Sequence, residues 1–349
     1  MQKPSQKKKV QDDPLFKRVA CFTDIHFGLK NNSKLHNDDC LNFVKWFINV
    51  ARKNKCETCI FLGDWHHNRA SLNVSTLNYS LEALTLLSNA FNRVYFINGN
   101  HDLYYRDTRE LNSIEFNKLL PNFTQINEPF IKGDVAIVPW LVSNEWKKIQ
   151  KIKCKYMFGH FELPNFYMNA MVKMPDHGTI NDSHLSKPDL VFSGHFHKRQ
   201  TKGNIVYMGN AFPHNYADAW DDERGMMWFE WGKEPEFITW PDQPTYKTIK
   251  LTLLLDDPEK YLSIKGNLRV NIDTDITYDE ANFIKELFTR IYKLREFALM
   301  PSKDTEHEEG ESIGQIQFKS VDQIVITHLQ EIQSDTFDSR ILVAIYNSL

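Results

Sequence analysis

The sequence predicts an α/β protein in which short buried strands alternate with helices, followed by a small α/β unit and C-terminal helices. Three observations predict it. From residue 18 to about 240, an apolar run ending in Gly, Asp, Asn or His is repeatedly followed by a segment of helical spacing. After His197 the apolar runs follow one another without helices. Beyond Pro244 a new strand and helix lead into an acidic stretch.

The repeating runs are VACFTDIH, TCIFLGDWHH, VYFINGNHD, KYMFGHFE and DLVFSGHFH. Apolar stretches of about four to six residues fit strands buried on both faces. HNDDCLNFVKWFINVARKN and VSTLNYSLEALTLLSNAF lie between them with apolar residues three and four apart, the pattern of helices packed on a sheet. NIVYMGN, GMMWFEWG and EFITWP then read as strands closing the sheets, and this domain, 18–244, ends near 241–244. The next unit, 245–300, has a strand at 268–272 and a helix from about 279. Thr277 and Glu280 have capping-box spacing, and Phe283, Ile284, Leu287, Phe288, Ile291 and Leu294 line one face of that helix. SKDTEHEEGES is acidic and free of apolar residues, which marks 301–314 as a linker. Two amphipathic segments follow in 315–349. Val321, Ile324, Val325, Leu329 and Ile332 stripe the first, and Phe337, Ile341, Leu342, Ile345 and Leu349 the second. Such stripes must be buried on the chain or in a partner's groove.

Composition narrows the class. At 349 residues and 42% hydrophobic content the chain can bury a full core. No apolar run is long enough to span a bilayer, and MQKPSQKKKV lacks the apolar centre of a signal peptide, so the expected location is the cytosol. Five cysteines are an odd number in a long chain and suit a reducing compartment. Cys56 and Cys59 have no second pair at zinc spacing, and Cys59 opens the run CIFLG, so it is expected to pack in a strand. The net charge of -3 makes no global case for nucleic acid. Its distribution is uneven: Lys3, Lys7, Lys8 and Lys9 make 1–17 a basic arm, whereas three Lys/Arg face nine Asp/Glu from Pro301 onward.

The chemistry lies where the five runs end. Asp24-Ile-His26 and Gly63-Asp64 are weak signals alone, Gly99-Asn100-His101-Asp102 is more specific, and Gly194-His195-Phe196-His197 places two imidazoles two residues apart. Packing gives no reason for carboxylates and imidazoles to gather at the ends of successive buried strands, where a sheet collects its loops into one crevice. Two divalent ions about 3.5–4 Å apart can clamp phosphoryl oxygens and acidify a water between them. Two Asp, one Asn and four His suit manganese, iron or zinc better than calcium or magnesium.

The order DxH, GD, GNHD, GH, GHxH resembles the calcineurin-like metallophosphoesterases over residues 18 to about 240. The resemblance implies a four-layer β-sandwich flanked by helices. It also implies one ion held by Asp24, His26 and His197, a second held by Asn100, His160 and His195, and Asp64 bridging both. His101 becomes the non-ligand histidine that stabilises the transition state or protonates the leaving oxygen, kept poised by a neighbouring carboxylate. Asp102 has two roles open, this one and tying the GNHD turn together.

GDWHHNR and GNHD depart from the GDxxDRG and GNHE of phosphoprotein phosphatases. With FGHFELPNFYMN, VFSGHFH, YMGNAFPHNYAD and DDERGMMWFE, they resemble SbcD-type nucleases of double-strand-break processing, and most of all those of T-even phage recombination complexes. That resemblance implies a manganese-dependent exonuclease and endonuclease acting on DNA, in the host cytoplasm if phage-encoded. It makes 245–300 a capping domain and 315–349 the element that binds an SbcC-like, SMC-family ATPase, and it implies a homodimer. His67 stands where many of these nucleases have a histidine that guides the strand, and His66 is left as a loop residue. Arg69, Tyr104, Tyr105, Arg106, Lys198 and Arg199 mix cations and aromatics suited to phosphates and unstacked bases. No G-x-x-x-x-G-K-[ST] occurs, so ATP-driven work needs another subunit. The rival readings are a nucleotide or small-molecule phosphodiesterase acting alone and a non-catalytic scaffold.

Overall fold

A computed structural model describes residues 14–301. Most of the basic arm, and the linker and helices expected after Pro301, lie outside the described residues.

The runs predicted as strands form strands. β1 (Arg18–Phe22), β2 (Thr58–Phe61), β3 (Arg93–Ile97) and β4 (Phe123–Ile126) are parallel neighbours. β5 (Phe130–Lys132), β6 (Val135–Ile137), β7 (Tyr156–His160), β8 (Leu190–Gly194), β9 (Gln200–Lys202) and β10 (Ile205–Tyr207) form a second sheet, ordered β5-β6-β7-β8-β10-β9. β11 (Gly225–Glu230) and β12 (Glu236–Thr239) return to complete the first sheet as β12-β11-β1-β2-β3-β4. β13 (Thr245–Lys250), β14 (Gly266–Ile272) and β15 (Glu296–Pro301) make a small parallel sheet.

Alternation along the strands builds the layers. In β1 to β3, Val19, Cys21, Ile60, Tyr95 and Ile97 point into the core between the two large sheets, where they meet Ile137, Phe158, Phe192 and Met208. Ala20, Phe22, Cys59, Phe61, Val94 and Phe96 point outward against the helices Lys34–Lys53 and Val74–Ala90. Cys59 thus packs in β2. The outer face of the second sheet is covered differently: Ala136, Met157, Val191 and Tyr207 pack under Phe161, Phe166 and Leu185, from loops and short helical turns rather than long helices.

Around the small sheet the capping box forms as its spacing requires. Thr277 and Glu280 cap the helix Tyr278–Tyr292, and Ile284, Leu287, Phe288 and Leu294 join its core. Phe283 and Ile291 do not; both are exposed, because the helix buries a narrower stripe than its apolar residues outline. Arg295 makes a bidentate pair with Asp39 of the helix Lys34–Lys53 (2.5 and 2.8 Å), docking the small sheet against the large ones.

Candidate metal centre

Five parallel strand ends, those of β1, β2, β3, β7 and β8, deliver their loops to one edge of the sandwich. The two sheets are stitched together there. His160 at the end of β7 donates from Nδ1 to the Leu62 carbonyl just beyond β2 (2.6 Å), and His195 after β8 donates its backbone N–H to Asp24 Oδ2 after β1 (3.0 Å). Four predicted donors, Asp24, His26, Asp64 and His195, adopt left-handed φ (50°, 53°, 61° and 86°). A non-glycine residue costs about 1 kcal/mol or more in that region, so the surrounding packing must hold them. The approach is close enough to require glycine: a Cβ on Gly63 (φ +107°) would lie 2.4 Å from His160 Nδ1, and one on Gly99 2.1 Å from Asp64 Oδ1.

The donors converge in two sets, Asp24, His26 and His197, and Asp64, His160 and His195, each with ligand atoms within 4.8 Å of one another. Asn100 Oδ1 lies 3.0 Å from His195 Nδ1 and 3.2 Å from His160 Nε2, which adds it to the second set. Asp64 Oδ2 is 3.7 Å from His26 Nε2 and 3.5 Å from His160 Nε2, between the two. Asp24 Oδ1 and both ring nitrogens of His26 are buried without a hydrogen-bond partner. Buried polar atoms left unpaired cost free energy, and an ion bound by Asp24 Oδ1 and one His26 nitrogen would offset that cost.

The sequence profile of the calcineurin-like phosphoesterases matches residues 17–199, a span containing all seven donors and His101. The chain belongs to that family. It is therefore a metal-dependent hydrolase, and its donor sets fit the dinuclear centre the family uses. The chain is 28% identical over 239 residues to "Exonuclease subunit 1" of Enterobacteria phage T4, covering 66% of this chain and 69% of that one. Among solved structures it is similar to Pseudomonas putida nuclease MPE (18% identity, 54% and 66% of the two chains, TM-score 0.30). It is also similar to a dimetal phosphatase from Danio rerio (11% identity, 65% and 99%, TM-score 0.42).

The electrostatics of this phosphoesterase centre set His160 apart, since burial lowers both His26 and His195. Burial pushes His26 well below the usual imidazole range, as it does His214, while it lowers His36 to about 3. His160 goes the other way: burial opposes its charge, but the Asp64 carboxylate lifts it to about 9. Burial would raise Asp64, yet His160, with His101 and His26, holds it well below the carboxylate range.

Around the donors stand residues the sequence did not single out. His36 Nε2 bonds the His26 carbonyl (3.0 Å) and His214 Nε2 bonds the Asp24 carbonyl (2.9 Å), fixing the first set from behind. Thr23 Oγ1 donates to Asp24 Oδ2 (2.6 Å). Glu162 Oε2 lies 3.1 Å from His195 Nε2, so the opposite ring nitrogen, Nδ1, is the one turned toward Asn100. The nearest sequence signal was Glu162 itself, two residues past His160 and hence on the same side of an extended chain.

The fold bears on three of those readings. A carboxylate, Asp64, accepts the His101 backbone N–H (2.9 Å), but the His101 ring is held otherwise: its Nδ1 donates to the His67 carbonyl (2.8 Å), and the two rings stack 5.3 Å apart at 18°. The Asp102 carboxylate instead accepts from four backbone N–H groups, those of Asp64, Trp65, His66 and Gly99 (2.9–3.0 Å), binding the GNHD turn to the GDWH loop. Burial and the nearby Asp64 charge raise it to about 7, and the amide bonds pull against that. His66 lies in the loop after β2 and is buried there, its ring bonded to Ser113 (2.8 Å) and Ser80 (2.9 Å).

His67 lies at the centre, sharing a 4.8 Å cluster with His26 and His101; burial, with the charges of His101 and His197, lowers it to about 4. Tyr104 and Tyr105 are exposed and pack edge to face at 4.8 Å, beside exposed Arg106; Arg69 is half-buried. Lys198 lies over the Tyr167 ring at 5.2 Å. Arg199 is engaged elsewhere, paired with Glu223 (2.8 Å) and lying over Phe237. Among the described residues no helix is long and apolar enough to cross a membrane.

Proposed function

We propose that this chain is a two-metal DNA phosphodiesterase, an exonuclease and endonuclease serving as the nuclease subunit of an SbcCD-like recombination and break-processing complex. The observation that carries the chemistry is the convergence of seven donors from five strand ends around unpartnered buried atoms of Asp24 and His26. Asp24, His26 and His197 would hold one ion, Asn100, His160 and His195 the other, and Asp64 would serve both. Nitrogen-rich donors favour manganese over magnesium or calcium. The bound ions supply the charge that polarises a phosphoryl oxygen and acidifies a nearby water.

The protein's own part is positioning and proton delivery. His101 commits its Nδ1–H to the His67 carbonyl, so a proton given to the leaving oxygen comes from Nε2 of the doubly protonated ring, which returns to the neutral Nδ1–H form. His67 fixes that orientation through its carbonyl and stacks its ring on His101, a place from which it can also guide the strand. Tyr104, Tyr105, Arg106, Arg69 and Lys198 are the candidate DNA contacts around the centre.

DNA as substrate is supported by the similarity to a phage T4 exonuclease subunit and by the GDWHHNR and GNHD sequences. A relative named as a subunit also supports a partner. We assign 245–300 as the capping domain and 315–349 as the segment that binds an SMC-family ATPase, in a cytoplasmic complex in which the nuclease is a homodimer. With manganese, the purified full chain should degrade linear duplex DNA, and a chain ending at Met300 should fail to co-purify with the ATPase. Turnover of cyclic nucleotides without DNA cleavage would overturn the nuclease reading, and retention of the ATPase by the truncated chain would overturn the tail assignment.

A further inference from the structure

The crossover from β7 to β8 opens with a hairpin, residues 165–174, that supplies no donor to the metal centre. Its stem is closed by bonds from Asn165 N to Met174 O (2.9 Å), Met174 N to Phe166 O (2.8 Å) and Met168 N to Val172 O (2.7 Å). Asn169 Oδ1 accepts from both Met171 N and Val172 N (2.9 Å each), which makes the tip a fixed turn. Phe166, Met168 and Met174 root the stem in the outer core of the second sheet. The tip has no such cover: Met171 is 73% exposed and Val172 50%.

The hairpin is tied to the centre at two points. His197 donates its backbone N–H to Met168 O (2.8 Å), and Ala170 N donates to Ala217 O (3.2 Å), in the short helical turn Tyr216–Asp218 that follows His214. Along its open edge Tyr167 pairs with Lys173, and Lys198, next to His197, reaches over the Tyr167 ring. Gln200 bonds both the N–H and the carbonyl of Tyr167, which fixes the backbone at this aromatic.

Isolated exposed apolar residues need no explanation. Two adjacent ones on a rigid turn, bonded to a metal-donor loop and flanked by lysines, present a specific shape: an apolar knob beside positive charge. Its complement is a flat apolar face bordered by phosphates, which is what the last base pair of a duplex offers at a DNA end.

We propose that the 165–174 hairpin is a DNA-end reader, with Met171 and Val172 packing on the terminal base pair while Tyr167, Lys173 and Lys198 hold the adjoining backbone. This rests on the nuclease reading above and deepens it, since it makes the duplex end the preferred entry to the centre.

The test uses the full chain with Met171→Ser and Val172→Ser together, assayed with manganese on a blunt duplex, a single-stranded oligonucleotide and bis(p-nitrophenyl) phosphate. Loss of two apolar contacts should lower kcat/KM on the blunt duplex about tenfold, leaving the other two substrates unchanged. A 2-aminopurine at the duplex terminus should change fluorescence on binding the wild-type chain and not the variant. Lys173→Gln should reduce the salt slope of duplex binding by about one. Undiminished duplex cleavage by the double variant overturns the proposal, as does an equal fall on all three substrates, which would mean damage to the centre. Loss of ATPase stimulation alone also overturns it, since it would make the tip a protein contact. If the wild-type chain hydrolyses bis(p-nitrophenyl) phosphate but no DNA, the nuclease reading fails first and this one with it.

Discussion

The two donor sets at the edge of the sandwich are built to opposite rules. In the first, Asp24 Oδ1 and both His26 nitrogens are buried with no partner, and burial keeps His26 neutral. In the second, every side chain is already engaged: His160 with Asp64, and His195 between Asn100 and Glu162. The first set would offer an ion buried groups that nothing else satisfies. In the second, an ion would replace hydrogen bonds already made and displace the proton that Asp64 favours on His160. Two ions in one centre should therefore bind with different affinity and different sensitivity to acid.

Asp64 is where the comparison can be broken outright, because it touches both sets. Asp64→Asn should reduce phosphodiester hydrolysis by roughly a thousandfold or more, with at most one manganese retained, counted by mass spectrometry or calorimetry. Two ions bound to that variant would show that the sets are independent. His101 sits outside both, so His101→Gln should lower kcat by about 10²–10⁴ with metal content unchanged. If the ions leave with it, His101 is a ligand and the division into two sets is wrong. Glu162→Gln tests the second set alone. A carboxylate that orients a ligating histidine is worth about 10–100-fold in metal affinity. The weaker manganese site should loosen by that factor in titration calorimetry while the tighter one stays put, and the melting temperature of the metal-free protein should barely move. Equal loosening of both sites would remove Glu162 from its assigned place.

Sequence made one part of this centre legible and hid another, for a physical reason. Strand ends are local: an apolar run such as TCIFLGD announces its direction and its final carboxylate, so the seven proposed donors and His101 could be named in order. The capping box at Thr277 and Glu280 is local as well. What supports the donors is not. His214 reaches the Asp24 carbonyl across 190 positions of chain, and His160 reaches Leu62 across 98. Such pairs exist only once two sheets pack face to face, so no spacing rule points to them. Asp102 was legible as a residue but not as a role, because only the folded loops show four amides meeting its carboxylate. Phe283 and Ile291 mark the reverse limit, since helical periodicity records which residues are apolar and not how wide a face the core will cover.

Acid gives the mildest and most discriminating contrast between the sets. His160 carries a proton up to about pH 9 in the metal-free protein, because Asp64 stabilises the charged ring against burial. An ion in the second set must expel that proton. Below pH 9 its apparent affinity should therefore fall as pH falls, by at most about tenfold per unit for one proton displaced. His26 is already neutral over that range, so the first set should show no such dependence on its account. Manganese titrations between pH 6.5 and 8.5 should then show one site weakening toward acid, with release of a proton to buffer, more steeply than the other. A matching slope at both sites would mean that the unpartnered atoms of Asp24 and His26 do not make the separate cradle inferred from their burial.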